Sequence, residues 1–211
     1  KLADSPHVVS LCGIAESQGQ YSMILELCGG GSLSMWLSRF PRRARQVSLQ
    51  LLEAVQFLHT RMICHLDLHP GNYLLDDVGC GKLCDFASAK ALTSLEDLVT
   101  WRARKSSATR FMAPEASNPI PFDGIRADVY SLGRTLQYTR GYDGTWHDGA
   151  SVVEAMVSKD ASARPDLHRV RTDLFRGSSG VSRDEKVLFE LSSIFAFEPW
   201  VHQDPAIAGI A

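Results

Sequence analysis

The stretch "HLDLHPGNYLLD", residues 65–76, sets two histidines, two aspartates and an asparagine within twelve positions. Crowding of this kind asks for a charged ligand. One candidate is a metal ion: His65, Asp67 and His69 alternate, so in an extended segment their side chains would all point the same way. Cys80 and Cys84 follow closely enough to complete a site, but their spacing matches none of the common zinc patterns, and free cysteines more often fill cores. Reading outward from the stretch favours a different ligand.

The 211 residues fit one large domain or two small ones, and a hydrophobic fraction of 45% is enough for a globular core. A formal net charge of -2 gives no bulk attraction to nucleic acid or to an anionic membrane, so nucleic acid is not expected as a partner. "RFPRRAR", residues 39–45, is a local basic patch ahead of an apolar-periodic segment and reads as a solvated loop and helix start. Cys12, Cys28, Cys64, Cys80 and Cys84 form an odd set scattered through apolar runs, which predicts reduced thiols in a cytoplasmic, intracellular setting. No signal peptide and no membrane-spanning run is visible. The chain opens on Lys1 and goes straight into "LADSPHVVSLCG", as a fragment or incomplete N-terminus would.

"VVSLCGI" (8–14) and "YSMILEL" (21–27), separated by "AESQGQ", predict an antiparallel hairpin. "CGGGSL" then breaks the pattern, and Ser32 caps a helix over "LSMWLSRF". From Arg45 to Thr60 the apolar positions Val47, Leu51, Ala54, Val55 and Leu58 recur at helical spacing and deliver the chain to the opening stretch. "NYLL" and "KLCDF" read as two short strands joined by "DDVGCG", and Ser88 to Arg110 as a long loop without a clear period. "ADVYSLGRTLQY" is too apolar for a surface helix and is expected to be buried. "SVVEAMV" and "DLHRVRTDLF" predict two more helices, and "EKVLFELSSIFAF" a last one beyond the linker "RGSSGVS".

Five stretches now stand in order: "HLDLHPGN", "KLCDFASAK", "RFMAPE", "ADVYSLG" and "DASARPDL". Together they resemble the catalytic loop, metal-binding segment, end of the activation segment, buried F helix and late arginine motif of the protein kinase family. The resemblance covers roughly Ser5 to Leu167. It implies an α+β, protein-kinase-like fold, mainly the helical large lobe with the last strands of the small lobe. Residues 1–27 would be the partial small lobe, 28–176 the large lobe, and 177–211 a C-terminal linker and helix. Within the family, oomycete-, plant- and protist-type tyrosine-kinase-like enzymes look most similar.

What the resemblance implies for chemistry is transfer of the ATP γ-phosphate to a protein hydroxyl, with ATP and Mg2+ as cofactors and a protein as substrate. Asp67 would accept or orient the hydroxyl proton, Asn72 and Asp85 would hold magnesium, and His69 would face the γ-phosphate where serine/threonine kinases usually carry lysine. Serine/threonine specificity is favoured slightly over tyrosine. Leu25 stands at the gatekeeper place, and backbone groups of Glu26 and Cys28 would hold adenine. Glu115 and Arg164 would form the family's buried ion pair, Asp128 would anchor the catalytic-loop backbone, and His65 would pack and hydrogen-bond inside that loop.

The chain also departs from the family pattern. Leu66 replaces the arginine that binds an activation-loop phosphate in many relatives, so control by that phosphate should be weak. Ala87 replaces a glycine, and Ala108 stands where threonine is usual, with Thr109 one step late. From Asp128 to Arg164 there are 36 positions, too few for the F, G and H helices together. Nothing before Ser5 can hold a glycine-rich loop, a strand lysine or the C-helix glutamate. These departures motivate an alternative, a pseudokinase that acts as a binding scaffold.

Overall fold

In the computed structural model the described residues are 5–100, 107–144, 146–147 and 149–175. They fall within the first of two compact units, Lys1–Arg176. The second unit, Gly177–Ala211, with the helix expected over "EKVLFELSSIFAF", lies outside the described residues.

The chain enters through residues 5–9, which lie beside a later strand: Val9 N–H donates to the Leu83 carbonyl and Leu83 N–H to the His7 carbonyl, both at 2.9 Å. Strands β1 (Leu11–Ser17) and β2 (Gln20–Leu25) then form the expected hairpin, with shifted bounds. Val8 is not part of it; it pairs through a parallel backbone bridge with Leu83, its side chain 2% exposed in the core. "AESQ" is largely strand because the turn itself needs just Gln18 and Gly19, both at positive φ (52° and 74°), as in the tightest hairpin loops.

Short strand β3 (Gly31–Ser32) leads into α1 (Leu33–Arg39), where Ser32 Oγ accepts the Met35 N–H as the predicted cap. The basic patch becomes a 3-10 turn at Pro41–Arg43, and α2 (Ala44–Thr60) follows. Its buried stripe of Val47, Leu51, Leu52, Val55 and Leu58 forms the centre of the core. Each fully buried leucine there contributes about 1.5–3 kcal/mol.

Strands β4 (Ile63–Cys64), β5 (Tyr73–Leu75) and β6 (Gly81–Leu83) bracket the polar loop, and β3, β5 and β6 make one antiparallel sheet. The segment expected to be an unbroken loop is not one. It carries β7 (Lys90–Ala91), paired with β4, and β8 (Leu98–Val99), paired with β9 (Phe122–Asp123). Two-residue strands leave no period in the sequence, since they exist through long-range pairing. Residues 101–106 lie outside the described residues.

Helix α3 (Gly124–Arg140) is buried as predicted, with Val129, Leu132 and Leu136 packed in the same core as α2. Helices α4 (Ala150–Met156) and α5 (Leu167–Phe175) follow. Between α3 and Arg164, α4 is the one α-helix among the described residues, in keeping with the short spacing noted in the sequence.

His7 ties the entering segment to α2. Its Nδ1 lies 3.0 Å from the Gly81 carbonyl, its Nε2 lies 3.6 Å from Glu53 Oε2, and Arg171 holds the other Glu53 oxygen at 3.0 Å. Burial alone lowers the affinity of this imidazole for its proton, but the contacts with Cys80 and Glu53 outweigh it and raise the pKa from 6.5 to about 9. A folded value above the unfolded one stabilises the fold fully below about pH 6.5, and that contribution is lost as pH rises through about 9. Denaturant titrations at pH 6.5 and pH 9.5 should therefore differ by about 3 kcal/mol from this group, and His7→Gln should flatten that difference.

Candidate active site

The polar loop is held from below by one carboxylate. Asp128, on the buried face of α3, is fully buried and accepts the His65 N–H at 2.7 Å, the Leu66 N–H at 2.8 Å and His59 Nε2 at 3.1 Å. These bonds fix a turn that the sequence does not advertise. Leu66 sits at φ 63°, a left-handed conformation that costs a bulky residue of order 1–3 kcal/mol. Its side chain offsets this by burial among Cys64, Val99, Phe122 and Ala127. Where many relatives have an arginine facing a phosphate, this chain thus packs a leucine against the activation segment.

The turn at Leu66 also removes the geometry of the metal reading, since residues 65–69 are not extended. Both His65 nitrogens are taken: Nδ1 accepts the Asp67 N–H at 3.3 Å and Nε2 donates to the Cys84 carbonyl at 3.0 Å. Burial pushes this imidazole below its ordinary range, so it is the neutral tautomer with its proton on Nε2. Its ring meets Phe86 edge-on at 4.9 Å, coupling the loop to the segment that carries Asp85. Among the described residues no group of three or more histidine, cysteine or acidic side chains could hold a metal.

Asp67 and Asn72, five residues apart, are brought together. Asn72 Nδ2 donates to the Asp67 carbonyl at 3.0 Å and to Asp67 Oδ2 at 3.3 Å. With its amide nitrogen spent there, Asn72 keeps Oδ1 as an acceptor with no donor among the described residues. Asp85 follows β6 at φ 59°; it is exposed, and one carboxylate oxygen accepts the Ala87 N–H at 3.3 Å, while the other has no donor among the described residues. An amide oxygen and a carboxylate are hard donors of the kind magnesium takes when substrate phosphates complete its shell.

His69 lies beside this pair. Gly71 N–H donates to its Nδ1 at 3.0 Å, so the neutral ring carries its proton on Nε2, 3.8 Å from Asp67 Oδ1. A Cβ on Gly71 would come within 2.8 Å of the ring, which explains a glycine at that place.

Just past β2, Glu26 N–H donates to the Ser10 carbonyl at 3.0 Å, and its side chain accepts the Ser10 N–H at 2.6 Å and pairs with Lys82 at 2.9 Å. The Cys28 carbonyl accepts the Gly31 N–H, whereas the Cys28 N–H has no acceptor among the described residues. The glycines after Cys28 serve close packing: a Cβ on Gly30 would lie 2.6 Å from the Asp76 carbonyl oxygen. Leu25, at the end of β2, is 45% exposed.

The ion pair expected between Glu115 and Arg164 is present and bidentate, at 2.5 and 2.9 Å. Arg164, 2% exposed, also donates to the carbonyls of Ser158 and Arg126. Glu115→Gln leaves that guanidinium buried without a counter-charge, and thermal or denaturant unfolding should show a loss of about 3 kcal/mol.

Three contributors escaped the sequence reading. His59, at the end of α2, supports Asp128; a polar residue one turn after Val55 was its faint signal. Lys82 is a charge in a short strand whose partner lies 56 positions away. Asp97 gathers the N–H and hydroxyl groups of Thr93 and Ser94, and these four hydrogen bonds hold its carboxyl well below the usual range.

Comparison with known proteins agrees with this architecture. A family model described as "Protein kinase domain" matches residues 1–172. CBL-interacting protein kinase 4 of Oryza sativa subsp. japonica is 34% identical over 138 residues, 62% of this chain and 30% of that protein. CBL-interacting protein kinase 9 of the same plant is 36% identical over 64% of this chain and 30% of its own length. Sperm motility kinase 3A of Mus musculus is 30% identical over 65% of the chain and 27% of its length. The matched part thus spans under a third of these relatives. The match is to the family as a whole and does not address the tyrosine-kinase-like subgroup.

Proposed function

Because the chain belongs to the protein kinase domain family, we propose that it carries the phosphoryl-transfer centre of a kinase that moves the ATP γ-phosphate to a protein hydroxyl, serine or threonine in preference to tyrosine. The observation that carries this reading is the contact of Asn72 with Asp67, in a loop tied to the residue before Asp85 by the Cys84 N–H bond to the Asn72 carbonyl at 2.9 Å. In this reading the loop and the end of the strand paired with it supply a proton acceptor and two hard oxygen donors, the combination that phosphoryl transfer requires.

In this reading Asp67 orients the incoming hydroxyl and takes its proton. Asn72 Oδ1 and the Asp85 carboxylate would hold magnesium, which when bound would neutralise charge on the phosphates. His69, held by Gly71, offers its Nε2 proton to a phosphate oxygen, in the place where serine/threonine kinases carry lysine. The Glu26 carbonyl and the free Cys28 N–H receive the adenine edge, and Leu25 bounds that pocket. The Glu26–Lys82 pair keeps the adenine-binding backbone in register with β6.

Calorimetric titration of the full-length protein with ATP tests the metal assignment. Affinity should fall about tenfold or more when magnesium is chelated, and equally in Asp85→Ala. Identical affinity with and without magnesium would overturn it. The scaffold alternative draws its support from Ala87 and from the packing of Leu66. It is distinguished by binding without transfer.

A further inference from the structure

Away from the loop, one cluster joins a thiol, an imidazole and a carboxylate. Cys80 Sγ lies 3.7 Å from His7 Nδ1 and 3.8 Å from the Pro6 carbonyl oxygen. The Gly81 carbonyl, 3.0 Å from Nδ1, can only accept, so that nitrogen carries a proton. On the far side of the ring, Nε2 faces the Glu53 carboxylate at 3.6 Å, and Arg171 keeps Glu53 in place. An imidazole with an acceptor at each nitrogen is best satisfied as the cation. The positive charge therefore sits beside the sulfur.

Cys80 is also fixed in space. Its N–H donates to Asp76 Oδ1 at 2.8 Å, and its carbonyl accepts the Asp76 N–H at 3.0 Å. Its side chain remains part-exposed, within reach of a small solute. The other cysteines differ. Burial pushes the Cys64 thiol up to about 12 and the Cys84 thiol to about 11, and raises that of Cys28. Cys12 is exposed but has no such cation beside it among the described residues.

We propose that Cys80 is a peroxide-reactive thiol, activated by the His7 imidazolium that Glu53 and Gly81 hold against it, and that its oxidation to the sulfenic acid is a modification site on the turn before β6. The sulfur attacks one oxygen of hydrogen peroxide; the S–O bond forms as the O–O bond breaks. Sulfur gives up two electrons, peroxide is reduced, and the thiol proton ends on the departing oxygen as water. The adjacent cation stabilises the charge that builds up along this path. The inference stands independently of phosphoryl transfer, because none of its residues belongs to that centre.

The test treats the full-length protein with hydrogen peroxide, traps sulfenic acid with dimedone and reads each cysteine by mass spectrometry. Cys80 should label about tenfold faster than the more exposed Cys12. His7→Gln, which keeps a polar side chain but no charge, should bring Cys80 down to the Cys12 rate. A Cys80 rate at or below that of Cys12 in the wild type would overturn the proposal, and this comparison needs no variant. An unchanged rate in a folded His7→Gln protein would overturn it equally.

Discussion

Asp67→Ala in the full-length protein should lower the proposed phosphate transfer to a protein hydroxyl by about 10²- to 10⁴-fold, while ATP affinity should stay within about threefold of wild type. The size of the effect follows from the proposed role: a positioned general base contributes that much, and the remaining rate would come from orientation and charge neutralisation by the groups still present. ATP affinity is spared because the proposed adenine and metal contacts run through Glu26, Cys28, Asn72 and Asp85. Asn72 loses one weak acceptor, the 3.3 Å contact to Oδ2, but keeps the 3.0 Å bond to the Asp67 carbonyl. Transfer at the wild-type rate in this variant would remove Asp67 from the chemistry.

Asp128→Ala has the second large effect, on stability as well as activity. The substitution strips the acceptor from two buried N–H groups, those of His65 and Leu66, and from His59. Each unsatisfied buried donor costs about 1–3 kcal/mol, so the loss should be about 3–6 kcal/mol in chemical denaturation. The left-handed Leu66 also loses what holds it, and the loop that positions Asp67 relaxes. Transfer should fall even at temperatures where the variant is folded. A loss below about 1 kcal/mol would show that the loop does not depend on this anchor.

The family, the fold and the meeting of Asp67 with Asn72 were legible because the motifs that carry the resemblance stand at short, fixed spacings. Asp67 and Asn72 lie in one loop, Asp85 follows one strand, and the buried helix around Asp128 announces itself by its apolar run. The Glu115–Arg164 pair was reached by resemblance, since 49 positions separate its partners. What escaped the sequence depends on contacts made at a distance. The parallel bridge of Val8 to Leu83 and the strands β7 and β8 exist through pairing with remote backbone, and the positive φ of Leu66 reflects the pull of Asp128 rather than any preference of leucine. His65 illustrates both sides. Its place in the loop was expected, but its tautomer and loss of charge follow from burial against Cys84, which no local pattern encodes.

The most direct test of the central reading is transfer itself. The full-length protein is incubated with γ-labelled ATP and serine, threonine and tyrosine peptide mixtures, with magnesium or with chelator. The account predicts magnesium-dependent label on serine or threonine that Asp67→Ala removes. Magnesium-dependent ATP binding with no label on any peptide or on the protein itself would contradict it and leave the scaffold.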